Sequence, residues 1–245
     1  MDQAFKGGVC GETKVGKSYF GAAIVKQFDG IVLDFAGVYQ YKDDSKAAKY
    51  HVSELSRGEA YPACRTAGID LSKQYFYIKS YSDLEAAIEY VFVYRDTVSQ
   101  KPNKRIWLVF DDTSMWRWHT ALYIQRKNSH KMITKDDWAQ ATSEMIILFR
   151  KLESEFNLLF INQMQDIYKD GENTGERKGR WYPTGIEYAL DFVGELWIDW
   201  SKMTQHFGVI ANRMNWIGAP DYVSDIVNPT PESVFRSLKI PEELW

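Results

Sequence analysis

Residues Gly11-Glu12-Thr13-Lys14-Val15-Gly16-Lys17-Ser18 spell G-x-x-x-x-G-K-S, with Tyr19 following at once. An apolar run, 4–10, precedes them and a helix-like segment, 19–27, follows. This is the pattern of a loop that binds phosphate. A strand delivers the backbone N–H groups, and a helix N-terminus adds its positive end to the same point. Gly11 and Gly16 allow the chain to curl around an anion without Cβ clashes. The Lys17 ammonium can neutralise the outer phosphates, and the Ser18 hydroxyl can ligate Mg²⁺. Residues 11–19 therefore form the expected nucleotide site, and the chain is expected to bind a nucleoside triphosphate.

A phosphate loop needs a carboxylate for its metal, carried at the end of a neighbouring buried strand. Trp107-Leu108-Val109-Phe110-Asp111-Asp112 fits. Asp111 is the expected Mg²⁺ partner, acting through water because that ion dehydrates reluctantly. Asp112, one residue on, stands where a water-orienting acid is wanted. An ordinary acidic turn is the alternative for both. A third element is Phe160-Ile161-Asn162-Gln163. A polar residue at the C-terminal end of a strand beside the phosphate strand faces the crevice where open α/β sheets bind ligands. Gln163 can touch both the γ-phosphate and the attacking water there.

The elements that must hold these groups alternate. Buried strands are expected at 4–10, 30–34, 75–78, 105–111, 158–162, 193–199 and 207–212. Helices are expected at 17–28, 82–95 and 137–155, with Ser82 and Glu85 as a capping box for the second. Strand–helix alternation with unbroken apolar strands predicts an α/β fold, a mostly parallel central sheet covered by helices on both faces. The 245 residues suit one large domain, here 1–216 with an insertion expected at 38–74, plus a C-terminal extension 217–245 packing on it. A net charge of −3 argues against a strongly basic binder of nucleic acid but leaves room for local patches. Cys10 and Cys64 define neither a disulfide framework nor a zinc site. His51, His119, His130 and His206 lack metal-ligand spacing. With no long apolar stretch or leader-like N-terminus, a cytoplasmic protein without membrane contact is expected.

Taken together, the phosphate loop, the Asp-ending strand and the apolar strand plus Asn162-Gln163 resemble the RecA-type P-loop ATPases. The chain is most similar to the compact RecA-like ATPases of bacteriophages in the single-strand annealing and recombination group. Lys14 in the loop, Asp136-Asp137-Trp138, Tyr168 to Glu172, Gly185 to Tyr188, Asp191-Phe192-Val193 and Asn212-Arg213 extend the resemblance over most of 4–216. It implies ATP and Mg²⁺ as cofactors, hydrolysis as the activity, and a homo-oligomer with nucleotide at the subunit interface. If the chain is viral, its place is the host cytoplasm. One position departs. Where relatives carry a catalytic glutamate two residues after the aspartate of the second strand, Leu33-Asp34-Phe35-Ala36 presents Ala36. Either Asp34 or Asp112 takes over, with Asp112 favoured, or hydrolysis is slow or absent. Gly11-Glu12-Thr13, Leu33-Asp34, Gly37 and Tyr39 also resemble the FtsK/HerA translocases and viral packaging ATPases, although those usually pair Asp with Glu at the metal strand.

The resemblance further implies two DNA-facing loops. The first, 113–135, holds Arg117, Arg126, Lys127, Lys131 and Lys135 with Trp116, Trp118 and Tyr123. The second, 164–186, holds Lys169, Arg177, Lys178, Arg180, Trp181 and Tyr182. Cations interleaved with aromatics suit single-stranded DNA, and the glycine-containing second stretch is expected to be mobile. Two solvated loops with locally packed rings are the alternative. Arg213 is a candidate arginine finger, and a single-strand-binding protein is a candidate partner. Three functions stay in play: an ATPase acting on single strands in phage recombination, replication or repair; a duplex packaging or translocation motor; and a non-hydrolysing nucleotide switch.

Overall fold

The computed structural model describes residues 4–35, 58–98, 105–183, 185–212 and 223–240, together with Glu242. Ala36, Gly37, Tyr39, His51 and Arg213 lie outside the described residues. The strands are β1 (Lys6–Gly11), β2 (Gly30–Asp34), β3 (Tyr75–Tyr77), β4 (Trp107–Asp111), β5 (Asn157–Ile161), β6 (Met164–Lys169), β7 (Glu172–Gly179), β8 (Phe192–Asp199), β9 (Thr204–Asn212) and β10 (Val223–Val227). The helices are α1 (Lys17–Phe28), α2 (Tyr61–Ala67), α3 (Tyr81–Val98), α4 (Thr113–Lys127), α5 (Lys135–Glu153) and α6 (Pro231–Ser237).

Apolar residues in unbroken runs make β2, β4 and β5 strands buried on both faces. Their side chains alternate across the sheet. Val32, Val109, Leu159 and Ile161 join one core, while Ile31, Leu33, Leu108, Phe110, Leu158 and Phe160 join the other. Helices α1, α2 and α6 cover the first face through Phe20, Ile24, Cys64 and Phe235. Helices α3, α4 and α5 cover the second through Ile88, Trp116, Met145 and Phe149. The Phe235 ring stacks on Trp107 at 5.4 Å and on Phe28 at 5.5 Å, so α6 shares the core of the phosphate-loop strand layer.

The eight-stranded sheet runs β10-β9-β8-β1-β5-β4-β2-β3. It is parallel from β8 through β3 and antiparallel only at β8–β9 and β9–β10. The strand ending in Asp111 is not next to β1, as the sequence led one to expect. Strand β5 lies between them, paired to both. All three carry their C-terminal ends to the same edge, so the loops after β1, β4 and β5 still meet.

Three other expectations are corrected. Helix α3 is capped two residues earlier than Ser82 and Glu85, and without the full reciprocal box. Ser80 Oγ accepts from the Asp83 N–H at 3.2 Å, and Asp83 Oδ2 accepts from the Lys79 N–H at 3.0 Å. Stacking of Tyr81 on Tyr123 at 4.3 Å holds that first turn in place. Second, most of 113–135 is helix. Third, 164–179 is an antiparallel hairpin whose turn, Asp170-Gly171, has φ values of 54° and 86°. Asp-Gly is the pair that such a two-residue turn favours.

Candidate nucleotide site

The loop from Gly11 to Gly16 leads from the end of β1 into α1. Gly16 stands at the N-cap with φ 96°, a left-handed conformation that glycine adopts without strain. Its missing side chain also makes room for Gln205 of β9, whose Nε2 donates to the Val15 carbonyl at 2.5 Å. The antiparallel extension of the sheet thus braces the loop from outside. Lys17, only 8% exposed, turns its Nζ toward the loop itself, 3.0 Å from the Gly11 carbonyl oxygen and 2.5 Å from that of Glu12. Burial lowers its pKa, and the negative charges of Asp111 and Asp112 act against that. Glu12, Thr13, Lys14 and Tyr19 are exposed, whereas Val15 is buried beneath the loop.

Asp111 ends β4, and the Ser18 hydroxyl is among the groups that act on its carboxyl. Its Oδ2 is buried without a hydrogen-bond partner. Burial is the largest influence on this carboxyl and pushes its pKa up to about 6, with the Asp112 and Glu59 charges adding and Ser18 and Lys17 opposing. An unpartnered hard oxygen beside a hydroxyl at a phosphate loop fits a divalent cation such as Mg²⁺. Ser18 and Asp111 are the residues that could hold it.

The other two aspartates are committed elsewhere. Asp112 caps α4: its Oδ1 accepts from the Met115 N–H at 2.9 Å and from the Ser114 hydroxyl at 2.5 Å. Asp34, fully buried, accepts through Oδ2 from the Ala60 N–H at 2.9 Å and the Tyr75 hydroxyl at 2.8 Å. It serves as an anchor for the chain at 58–60. Gly58 completes the anchor. Its N–H donates to the Tyr75 hydroxyl at 3.1 Å, and a Cβ on Gly58 would overlap the Asp34 carboxylate.

At the end of β5 the inward group is Asn162, not Gln163. Asn162 is 1% exposed, accepts from the Thr113 hydroxyl, and leaves its Nδ2 without a partner. Gln163 is exposed, its carbonyl accepting from the Arg180 N–H at 2.8 Å, which closes the base of the β6–β7 hairpin. Arg177 of β7 bridges Glu12 in the phosphate loop and Asp166 in β6, the latter at 3.1 Å. Lys178 and Arg180 are exposed beside it. Together with Tyr182, Tyr188 and Glu195 these cations line a cleft of about 550 Å³.

The first basic–aromatic stretch divides differently. Trp116 is buried against Phe110 and Phe35. Trp118 packs on Trp138 at 5.7 Å, and the Arg117 guanidinium lies 4.6 Å from each of the Trp138 and Tyr182 rings. These rings are occupied in packing. Arg126 and Lys127 are exposed at the far end of α4, about 20 Å from the Asp111 strand end by helix rise, and Lys131 is exposed beyond that helix. His119 is buried, and burial brings its pKa down to about 4, so it is neutral at pH 7.

Sheet order and helix layers define an α/β fold, a mostly parallel sheet covered by helices on both faces, with a glycine-bounded loop leading from β1 into α1. No family model and no curated protein matches the chain. Solved structures do. One is a prototypical ATPase from the type III secretion system of pathogenic bacteria, with a TM-score of 0.49 and 12% identity, covering 82% of this chain and 54% of that one. The chain therefore spans about half the length of that ATPase. Among the described residues no helix is long and apolar enough to cross a membrane.

Proposed function

We propose that the chain binds Mg·ATP and hydrolyses it, and that the nucleotide is coupled to single-stranded DNA held along the β6–β7 hairpin. One observation carries the first half: Lys17, Ser18 and Asp111 lie together where α1 begins, with a buried carboxylate oxygen of Asp111 unpartnered. Backbone N–H groups of residues 12–18 and the α1 N-terminus receive the phosphates, and Lys17 offsets their charge. Ser18 and Asp111 would hold Mg²⁺, which supplies Lewis-acid polarisation of the phosphoryl group.

Support for the second half is the exposed Lys178 and Arg180 beside Tyr182 and Tyr188, a pairing of cations and rings suited to an unpaired strand. Arg177 joins this cleft to Glu12 of the phosphate loop. It offers a mechanical link from nucleotide to strand. The resemblance to phage recombination ATPases supplies the biological setting. Replacing Lys178 and Arg180 by Ala is expected to weaken binding of an oligothymidine. It should also flatten the log K against log salt slope by about 0.7 for each lost phosphate contact. An unchanged slope removes the hairpin from the DNA site. Turnover stimulated by duplex but not by single strands favours a translocation motor instead.

A further inference from the structure

ATP hydrolysis is accelerated by a carboxylate free to take a proton from water, and the site holds several that are not free. Asp34 is sealed under Ala60 and Tyr75. Ser18 acts on Asp111, Asp112 caps α4, and Glu12 holds Arg177. Glu59 differs from all four. It sits between the buried Gly58 and Ala60, yet its own side chain is exposed and has no hydrogen bond or ion pair among the described residues.

The Asp34 anchor determines where Glu59 stands. Gly58, Ala60 and Tyr75 fasten this turn onto the Asp34 carboxylate, and Asp34 is the register partner of Asp111 across the β2–β4 pair. The turn is thus pinned at the sheet edge where the phosphate loop opens. The electrostatic neighbours of Glu59 agree with that position: Asp112 and Lys17 act on it, and it acts in turn on Asp111. Its partial desolvation is the first cause that raises its own pKa, which makes it a better proton acceptor than a fully solvated carboxylate.

We propose that Glu59 is the carboxylate that accepts the proton of the attacking water, with Asp34 and Tyr75 as its positioning residues. This rests on the ATPase reading above. In the step, the water oxygen forms a bond to the γ-phosphorus. The bond from that phosphorus to the β,γ-bridging oxygen breaks, and its electron pair leaves on ADP. The water proton passes to the Glu59 carboxylate and from there to solvent. A residue well beyond β2 in sequence thereby provides the carboxylate that Ala36 does not.

The test is phosphate release at saturating Mg·ATP by the full chain and by Glu59→Gln, Glu59→Asp and Asp112→Asn, with binding of a fluorescent ATP analogue measured for each. Glu59→Gln is expected to lower kcat by about 10²-fold or more and to leave nucleotide affinity unchanged, while Glu59→Asp keeps part of the rate. A Glu59→Gln protein turning over at the wild-type rate overturns the inference and, if Asp112→Asn is inactive, moves the role to Asp112. Loss of nucleotide binding along with turnover makes Glu59 a structural residue and overturns it too. A wild-type chain that binds Mg·ATP but releases no phosphate fails at the earlier step, since then the ATPase reading itself is wrong.

Discussion

Asp111→Asn is expected to make the nucleotide-free protein more stable at pH 8 and at the same time nearly inactive. The native carboxyl titrates at about 6 against an ordinary 3.8, because burial without a full set of partners disfavours its charge. Its folded pKa is raised, so the native state holds the proton more tightly than the unfolded chain. Stability from this group is therefore lost as pH climbs from about 4 to about 6 and stays lost above. The gap corresponds to about 3 kcal/mol. An amide avoids it but buries an NH₂ group at a cost of about 1–3 kcal/mol. A net gain of about 1 kcal/mol is the expected result, present at pH 8 and absent near pH 4. Denaturant titrations at the two pH values check it. With Mg·ATP the order should reverse, because only the wild type regains its metal partner, and turnover of the variant should fall by about 10²–10³-fold. A variant less stable at pH 8 would mean that Asp111 finds compensation inside the fold.

The second large effect is at Asp34. Asp34→Ala leaves the Ala60 N–H and the Tyr75 hydroxyl without their acceptor. Each unsatisfied donor costs about 1–3 kcal/mol. A loss of about 2–6 kcal/mol in unfolding free energy is expected, together with reduced turnover as the turn at 58–60 comes loose. Asp34→Asn keeps the shape and can turn its one oxygen to both donors, with its NH₂ replacing the second carboxylate oxygen, so it should show the same sign with smaller size. Equilibrium unfolding in urea measures both. A stable Asp34→Ala protein lacking only turnover would return Asp34 to the catalytic role that the sequence offered it as the alternative to Asp112.

Why Asp34 and Glu59 exchange places explains how far the sequence could be read. The phosphate loop was legible because its conformation is local: glycine at 16, a strand before and a helix after dictate it within a few residues. The buried strands were legible because unbroken apolar runs such as Leu108-Val109-Phe110 permit little else. Glu59 carried no such sign. It is placed by hydrogen bonds from its neighbours to Asp34 and Tyr75, contacts that no spacing encodes. The hairpin 164–179 read as a loop since most of its residues are exposed and its strands, which bury no face, lack apolar alternation. Helix α4 was there to be found. Trp116, Thr120 and Ile124 recur at four-residue intervals on its buried face, and the basic residues between them drew attention away from that period.

Asp112 illustrates a related point. A carboxylate after the metal strand reads equally as a water-orienting acid or as the cap of the next helix, and only the contacts to Met115 and Ser114 separate the two. The residue that resembles a motif and the residue that can do its chemistry need not coincide.

The most direct test of a working nucleotide site is a single-turnover assay, with radiolabelled ATP mixed with excess protein, with and without Mg²⁺, for the wild type and Lys17→Ala. Magnesium-dependent conversion to ADP by the wild type, lost in Lys17→Ala, is the predicted result. Conversion that survives the loss of Lys17, or none at all from a wild type that has bound the nucleotide, would contradict it.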